Sequence, residues 1–366
     1  MAASCGAAEP RTPQPLARDV ILASADQKEW PYLAFPALLD RGDELLVSFK
    51  RARSHAQDAG AALELVRLDP RTGRARERLT LARREGHIMQ MGEWVRFPNG
   101  DLANYIDVQT PGPATTRAGL HAVWSRDGGR TFGPLERVGV IDGVEYGYAF
   151  DAVSEGRTTW MLAMTFSNLP GGKSVYPPRP LAGSVDVIRT DDAGRSWRFV
   201  RNLSREFGDA PLNESALLRL GEGWLVSTRG YDNHQRLHRT DAAFRVVAQV
   251  DLTAAHPVVG TQVGRPRLFA REGAAYLLGR SSTQPAGAAA RPMQLALYRI
   301  DPATLAITAC AILDNAENAR VTDGYYAAPW FREAGGETIL HVVTYKGRDG
   351  RAPDLLHLAF RWNDVK

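Results

Sequence analysis

The sequence predicts an all-β chain folded as a six-bladed β-propeller of four-stranded antiparallel blades. Three observations carry this prediction. A glycine-centred hairpin unit recurs six times. A second, aspartate-containing turn recurs between the hairpins at a common offset. Helical periodicity is nearly absent. Repeats of this length mark architectures in which each unit buries its apolar face only against its neighbours.

The hairpin units read FPALLDRGDELLVSF around Gly42, WVRFPNGDLANYI around Gly100 and FDAVSEGRTTWMLAMTF around Gly156. They return as SALLRLGEGWLVSTR around Gly221 and Gly223, PRLFAREGAAYLLGR around Gly273, and APWFREAGGETILHVVTY around Gly335 and Gly336. In each, apolar and β-branched residues flank a short turn where glycine supplies a positive φ. The copies lie about 50 to 67 residues apart, which leaves room for two further strands per unit. Four strands in each of six units make a propeller, where radial packing protects most strand edges. DVILAS, from Asp19, is expected to add the outer strand of the last blade and close the ring.

The second signal is Ser125-Arg126-Asp127-Gly128-Gly129-Arg130-Thr131-Phe132, matched by Thr190-Asp191-Asp192-Ala193-Gly194-Arg195-Ser196-Trp197. Weaker copies centre on Asp69, Asp241 and Asp301. Asp69, Asp127 and Asp301 each follow their hairpin glycine by about 27 residues. An aspartate here accepts backbone amides within the turn, and glycine permits the left-handed geometry. These carboxylates are therefore structural. With this pattern the chain, from about residue 20 to its end, resembles the sialidase superfamily, whose blades carry such Asp boxes.

Composition bounds the rest. The 366 residues exceed an average domain, but closed all-β units run long. Residues 19–366 read as one propeller domain after a flexible tail over 1–18. That tail lacks the basic start and apolar run of a signal peptide. No segment has the apolar length of a membrane helix. A cytoplasmic protein without a membrane partner is expected. The net charge of +4 comes from arginine, since there are only five lysines and no basic run, so no nucleic-acid partner is expected. Cys5 and Cys310 are too few for a disulfide framework and suggest no metal site.

The resemblance implies a set of site residues. In that superfamily three arginines bind the substrate carboxylate, a tyrosine attacks the anomeric carbon beside a glutamate, and an aspartate is the acid/base. A tyrosine nucleophile suits an anionic sugar, which a carboxylate would repel. Glu214, in Asn213-Glu214-Ser215, stands where the glutamate belongs. Arg229 and Arg291 match the second and third arginines. Tyr325 and Tyr326 open the sixth hairpin, where the nucleophile belongs, and Tyr326 fits the spacing better. Asp58, in the loop RARSHAQDAG, stands where the acid/base lies. The first arginine is absent: in Tyr32-Leu33-Ala34-Phe35-Pro36, Ala34 takes its place. Lys50, Arg51, Arg53, and Arg265 or Arg267 stand on strand ends that would supply a substitute cation. His55 and His87 are expected to face the pocket, as substrate contacts or proton-transfer groups. No cofactor or metal is implied.

Two classes of function follow. One is an exo-acting, retaining glycosidase that takes a terminal anionic sugar from a glycan or small carbohydrate. Its variant is an enzyme of the same fold acting on another glycan, including a polysaccharide lyase. The other is a non-catalytic propeller that binds a glycan or a protein. Convergence of Glu214, Arg229, Arg291 and Tyr326 on one axial cleft is the geometric feature that separates them.

Overall fold

The computed structural model describes residues 9–112, 116–165, 184–281, 292–316 and 320–366. Its strands form six antiparallel sheets, which are the blades of a six-bladed β-propeller. The first comprises Tyr32–Asp40, Leu45–Ala52, Ala62–Leu68 and Ala75–Ala82. The second comprises Ile88–Arg96, Leu102–Thr110, Thr116–Ser125 and Glu136–Arg137. The third is Val144–Glu155, Thr158–Thr165, Ser184–Thr190 and Arg198–Asn202, with Val140–Ile141 added beside its first strand. The fourth is Leu212–Leu220, Gly223–Gly230, Gln235–Thr240 and Val246–Asp251. The fifth is Val263–Arg271, Ala274–Ser281, Gln294–Ile300 and Ile307–Asp314.

The sixth blade joins the two ends of the chain. Val321–Gly324 and Ala328–Ala334 both pair with the long strand Glu337–Arg348, which pairs with Asp354–Arg361. Ala17–Leu22 then pairs antiparallel with Asp354–Arg361, matching Asp19 with His357 and Val20 with Leu356. The expected ring closure is therefore present, and it starts at Ala17. The described residues before it are also held. Arg11 donates its amide to the Cys310 carbonyl and accepts the Ile312 amide, and within the strand Arg18 pairs with Asp314 at 2.8 Å. Cys310 is a buried free thiol. Among the described residues, no helix is long and apolar enough to cross a membrane.

All six predicted hairpins are the first two strands of a blade. Their turns need left-handed backbone: φ is +88° at Gly100 and +76° at Gly273. The core follows from alternation along the strands. Six clusters of buried apolar side chains lie at the six boundaries between neighbouring blades, and the one between the third and fourth continues to the axis through Phe35 and Tyr326.

The aspartate turns all connect the third strand of a blade to its fourth. Asp127 accepts the amides of Arg130 and Thr131 and the hydroxyls of Ser125 and Thr131 at 2.6 to 3.1 Å. Asp192 does the same with Thr190 and Ser196. Asp69, Asp241 and Asp301 hold simpler versions, each accepting an amide two residues on at 2.9 Å. Their carboxylates are occupied by the turn, which recurs in five blades.

The boundary between the sixth and first blades contains a buried histidine pair. His341 Nδ1 and His357 Nε2 lie 2.9 Å apart. Trp330 stacks on both rings and donates its indole N–H to the Pro70 carbonyl at 3.0 Å. Burial, followed by the His357 and Arg332 charges, lowers the His341 pKa from 6.5 to about 4. Below pH 6.5 the unfolded chain therefore binds a proton that the native chain refuses. Stability is expected to fall as pH drops from 6.5 toward 4, measured as the urea midpoint. His341→Phe should flatten that slope. A midpoint that rises on acidification over this window would contradict the account.

Candidate active site

The inner strand of each blade is irregular near its start. Register shifts fall between Ala34 and Ala37, Met89 and Met91, Ala149 and Asp151, Leu212 and Ser215, and Gly264 and Arg267. In the sixth blade the strand is interrupted between Gly324 and Ala328. A bulge re-aims the side chains beside it. Phe35, Arg265 and Tyr325 have φ of +58°, +45° and +70°, an uncommon conformation for bulky residues that concentrates at functional sites. These irregular segments supply Glu214, Arg265 and Tyr326.

Tyr326 is the centre of the cluster. Its hydroxyl accepts from Arg280 Nη2 at 3.2 Å and Arg229 Nη1 at 3.5 Å. Arg229 Nη1 also donates to Glu214 Oε2 at 2.6 Å. The Arg265 amide donates to the same oxygen at 2.9 Å, and the Tyr148 hydroxyl donates to Oε1 at 3.2 Å. The Arg280 guanidinium lies 4.6 Å from the centre of the Tyr326 ring. The fourth, fifth and sixth blades thus meet at one phenol. A Cβ at Gly264 would lie 2.8 Å from Arg280 Nε and 3.1 Å from Tyr326 Cε1, so a larger residue there would push the guanidinium from its place beside the phenol.

The electrostatics separate acid from base. Burial alone would raise the Glu214 pKa, but Arg229, Arg280 and its hydrogen bonds bring it down to about 2. Burial pushes the Tyr326 phenol up to about 12, with Arg280 and Arg229 opposing and Glu214 adding to the rise. At neutral pH this is a neutral phenol beside a permanent carboxylate. The phenol can lose its proton to Glu214 when its oxygen begins to bond elsewhere.

Beside the cluster is a cleft of about 880 Å³, lined in part by Tyr32, Arg53, His55, Arg280, Asp323 and Arg351. Asp323 connects cleft and cluster. Its Oδ1 accepts from Arg280 at 3.3 Å, Tyr345 at 3.0 Å and the Gly324 amide at 2.9 Å. Its Oδ2 accepts from the Tyr32 hydroxyl and lies 2.7 Å from His55 Nδ1. Burial opposes ionisation of Asp323, but His55, Tyr32 and Arg280 hold its pKa below the usual carboxylate value.

The sequence-derived residues divide accordingly. Tyr326, Glu214 and Arg229 converge, and His55 and Arg53 line the cleft. Tyr325 does not join them. Its hydroxyl donates to Asp314 Oδ2 at 2.7 Å and its ring packs between the fifth and sixth blades, because the left-handed backbone at Tyr325 turns consecutive side chains apart. Asp58 does not join them either. Its carboxylate accepts the Arg53 amide and closes its own loop, without a hydrogen bond to the Tyr326 cluster among the described residues. His87 faces its own loop, Nδ1 lying 2.8 Å from the Glu85 carbonyl. Arg291 lies outside the described residues.

Of the substitute cations for Ala34, Arg53 lines the cleft, and the other four are engaged elsewhere. Lys50, opposite Ala34 in the register, is buried against Gln90 and the His55 carbonyl. Arg51 pairs with Glu64. Arg265 and Arg267 both pair with Glu93. Phe35 instead covers the axis, its ring centre 5.4 Å from those of Tyr326 and Tyr345.

Sequence reasoning missed Arg280 and Asp323. Arg280 had a signal: like Arg229, it is the penultimate residue of the second strand of its blade. Asp323 had none, since its partners come from three different blades. Among the described residues, no three His, Cys, Asp or Glu side chains gather as a metal site.

The fold is one shared with several solved structures. It is similar to a Dyadobacter fermentans protein of unknown function, with a TM-score of 0.69, 12% identity, and coverage of 96% of this chain and 99% of that one. It is similar to the NanB sialidase of Streptococcus pneumoniae, with a TM-score of 0.64, 10% identity, and coverage of 97% and 71%. The intramolecular trans-sialidase of Ruminococcus gnavus matches with a TM-score of 0.57, 9% identity, and coverage of 94% and 98%. At these identities the likeness is one of fold alone, the six-bladed β-propeller. No protein-family model and no curated protein matches the chain.

Proposed function

We propose that this chain is an exo-acting, retaining glycosidase of the sialidase kind, which removes a terminal anionic sugar through Tyr326 as nucleophile. One observation carries the reading: Arg229 and Arg280, from the fourth and fifth blades, both donate to the Tyr326 phenol oxygen of the sixth, and Arg229 also holds Glu214 beside it. A folding scaffold has no need to bury two guanidiniums, a carboxylate and a strained backbone together. The aspartate turns in five blades support the superfamily assignment.

The chemistry follows from the charges. Arg229 and Arg280 attract the carboxylate of the sugar, and guanidinium grips carboxylate strongly. Arg229 Nε is buried with no hydrogen-bond partner among the described residues, which leaves a donor for that anion. As the arginines turn to the substrate, Glu214 loses part of their stabilisation and becomes a better base. Tyr326 then attacks the anomeric carbon, its proton passing to Glu214. Water later displaces the tyrosine from the opposite face, the one the leaving group vacated, and two inversions give retention.

The test is a panel of umbelliferyl glycosides of sialic acid, glucuronic acid and neutral sugars, with the first-formed anomer followed by proton NMR. Release from an anionic glycoside with retained configuration is the expected result. An inverted first product would exclude Tyr326 as nucleophile. An unsaturated product absorbing in the near ultraviolet would replace hydrolysis by a lyase reaction. Binding without turnover of any glycoside would make the chain a glycan-binding propeller.

A further inference from the structure

Asp58, where the resemblance puts the acid/base, is engaged in its own loop, so the proton-transfer group of the site must be sought elsewhere. The same loop carries His55, whose side chain is 55% exposed and lines the cleft. It is held at both ends. Lys50 Nζ and Gln90 Nε2, both buried, donate to the His55 carbonyl at 2.8 and 3.2 Å. A buried ammonium is costly unless it is hydrogen-bonded, and Lys50 has the His55 carbonyl and the Gln90 side chain as its two acceptors.

The ring is fixed as firmly. Nδ1 lies 2.7 Å from Asp323 Oδ2 and 3.0 Å from the Tyr32 hydroxyl. Phe35 meets the ring edge-on, with centres 5.2 Å apart. A carboxylate at Nδ1 selects the tautomer with its proton there, leaving Nε2 as the working nitrogen. Arg280 spans the two halves of the site, donating to Asp323 at 3.3 Å and to Tyr326 at 3.2 Å.

We infer that His55, positioned by Asp323 and Tyr32 and anchored through Lys50 and Gln90, is the general acid/base of this site, in place of Asp58. The inference rests on the glycosidase reading and assigns its second catalytic residue. As the bond from the anomeric carbon to the leaving oxygen breaks, His55 Nε2–H gives its proton to that oxygen, while the Tyr326 oxygen bonds to the carbon and its proton goes to Glu214. In the second step neutral His55 Nε2 takes a proton from water. The resulting hydroxide bonds to the anomeric carbon, and Tyr326 leaves and recovers its proton from Glu214.

Leaving groups distinguish this role from a merely structural one, because a good leaving group needs no proton. The full chain, His55→Gln and Asp58→Asn would be assayed on umbelliferyl α-sialoside and methyl α-sialoside. His55→Gln is expected to slow release of methanol by about 10²- to 10⁴-fold and to change the step that releases umbelliferone far less. Asp58→Asn is expected to show no such selectivity. Equal losses on both substrates in His55→Gln, or selective loss in Asp58→Asn, overturn the inference and leave the glycosidase reading intact. A wild-type chain inactive on both, and on the umbelliferyl glucuronide, overturns the two together. Nitrogen NMR of the wild-type imidazole gives a readout without turnover: Nδ1 is expected to keep its proton in the neutral ring, and a neutral ring protonated at Nε2 would overturn the assignment.

Discussion

Tyr326→Phe is expected to lower turnover of an anionic glycoside by about 10³-fold or more, equivalent to about 4 kcal/mol of transition-state stabilisation. The substitution removes one oxygen and leaves a ring packed against Phe35 and Tyr345. Folding should hardly change, and the loss should lie in kcat, because Arg229 and Arg280 remain to bind the substrate anion. Tyr325→Phe is the control. It deletes the hydrogen bond to Asp314, costs about 1 kcal/mol of stability, and leaves turnover unchanged. Steady-state kinetics and a urea titration of both variants separate the two tyrosines. If Tyr325→Phe were the inactive variant and Tyr326→Phe the active one, the cluster described above would not be the reactive centre.

Glu93→Ala is expected to give the largest loss of stability. Glu93 comes from the second blade and reaches across the axis to the fifth. It accepts from Arg265 Nη2 and from Arg267 Nη1 and Nη2, the latter at 3.0 and 2.8 Å. The side chains of Arg265 and Glu93 are 3% and 7% exposed, and Arg267 is 11% exposed. Removing the carboxylate leaves two buried guanidiniums with one carboxylate fewer, and breaking such a pair costs about 3 to 5 kcal/mol. The urea midpoint reads this directly, and Glu93→Gln, which keeps an acceptor oxygen, should lose less. The damage should also reach the site. The Arg265 amide and guanidinium hold Glu214 and Tyr148, so any residual turnover should fall with stability. A midpoint unchanged in Glu93→Ala would show that the axis does not depend on this ion cluster.

Much of this molecule was legible because its signals are local. A hairpin needs a glycine a few residues from its strands, and an Asp turn needs its aspartate beside the amides it accepts. These constraints act over short stretches of chain, so six hairpins and five turns could be read as six blades. Glu214, Arg229 and Tyr326 were legible for a related reason: each stands at a strand end whose position the repeat defines. Composition did not reveal the site, and the arginine excess proved to be distributed among turns, blade edges and the axis.

The sequence by itself determined the fold class, the ring closure through Asp19 and Val20, and three of the four residues around the phenol. The tertiary structure decided which of two adjacent tyrosines faces the axis, because a left-handed residue at Tyr325 overrides simple alternation. It decided that Arg280 joins the cluster, that Asp58 serves its own loop, and that His55 meets Asp323. It also decided that Glu93 neutralises two arginines on the opposite blade. Those contacts join residues more than a hundred positions apart in several cases. A one-residue shift at a bulge reverses which side chain points inward, so ring geometry fixes them where local pattern cannot.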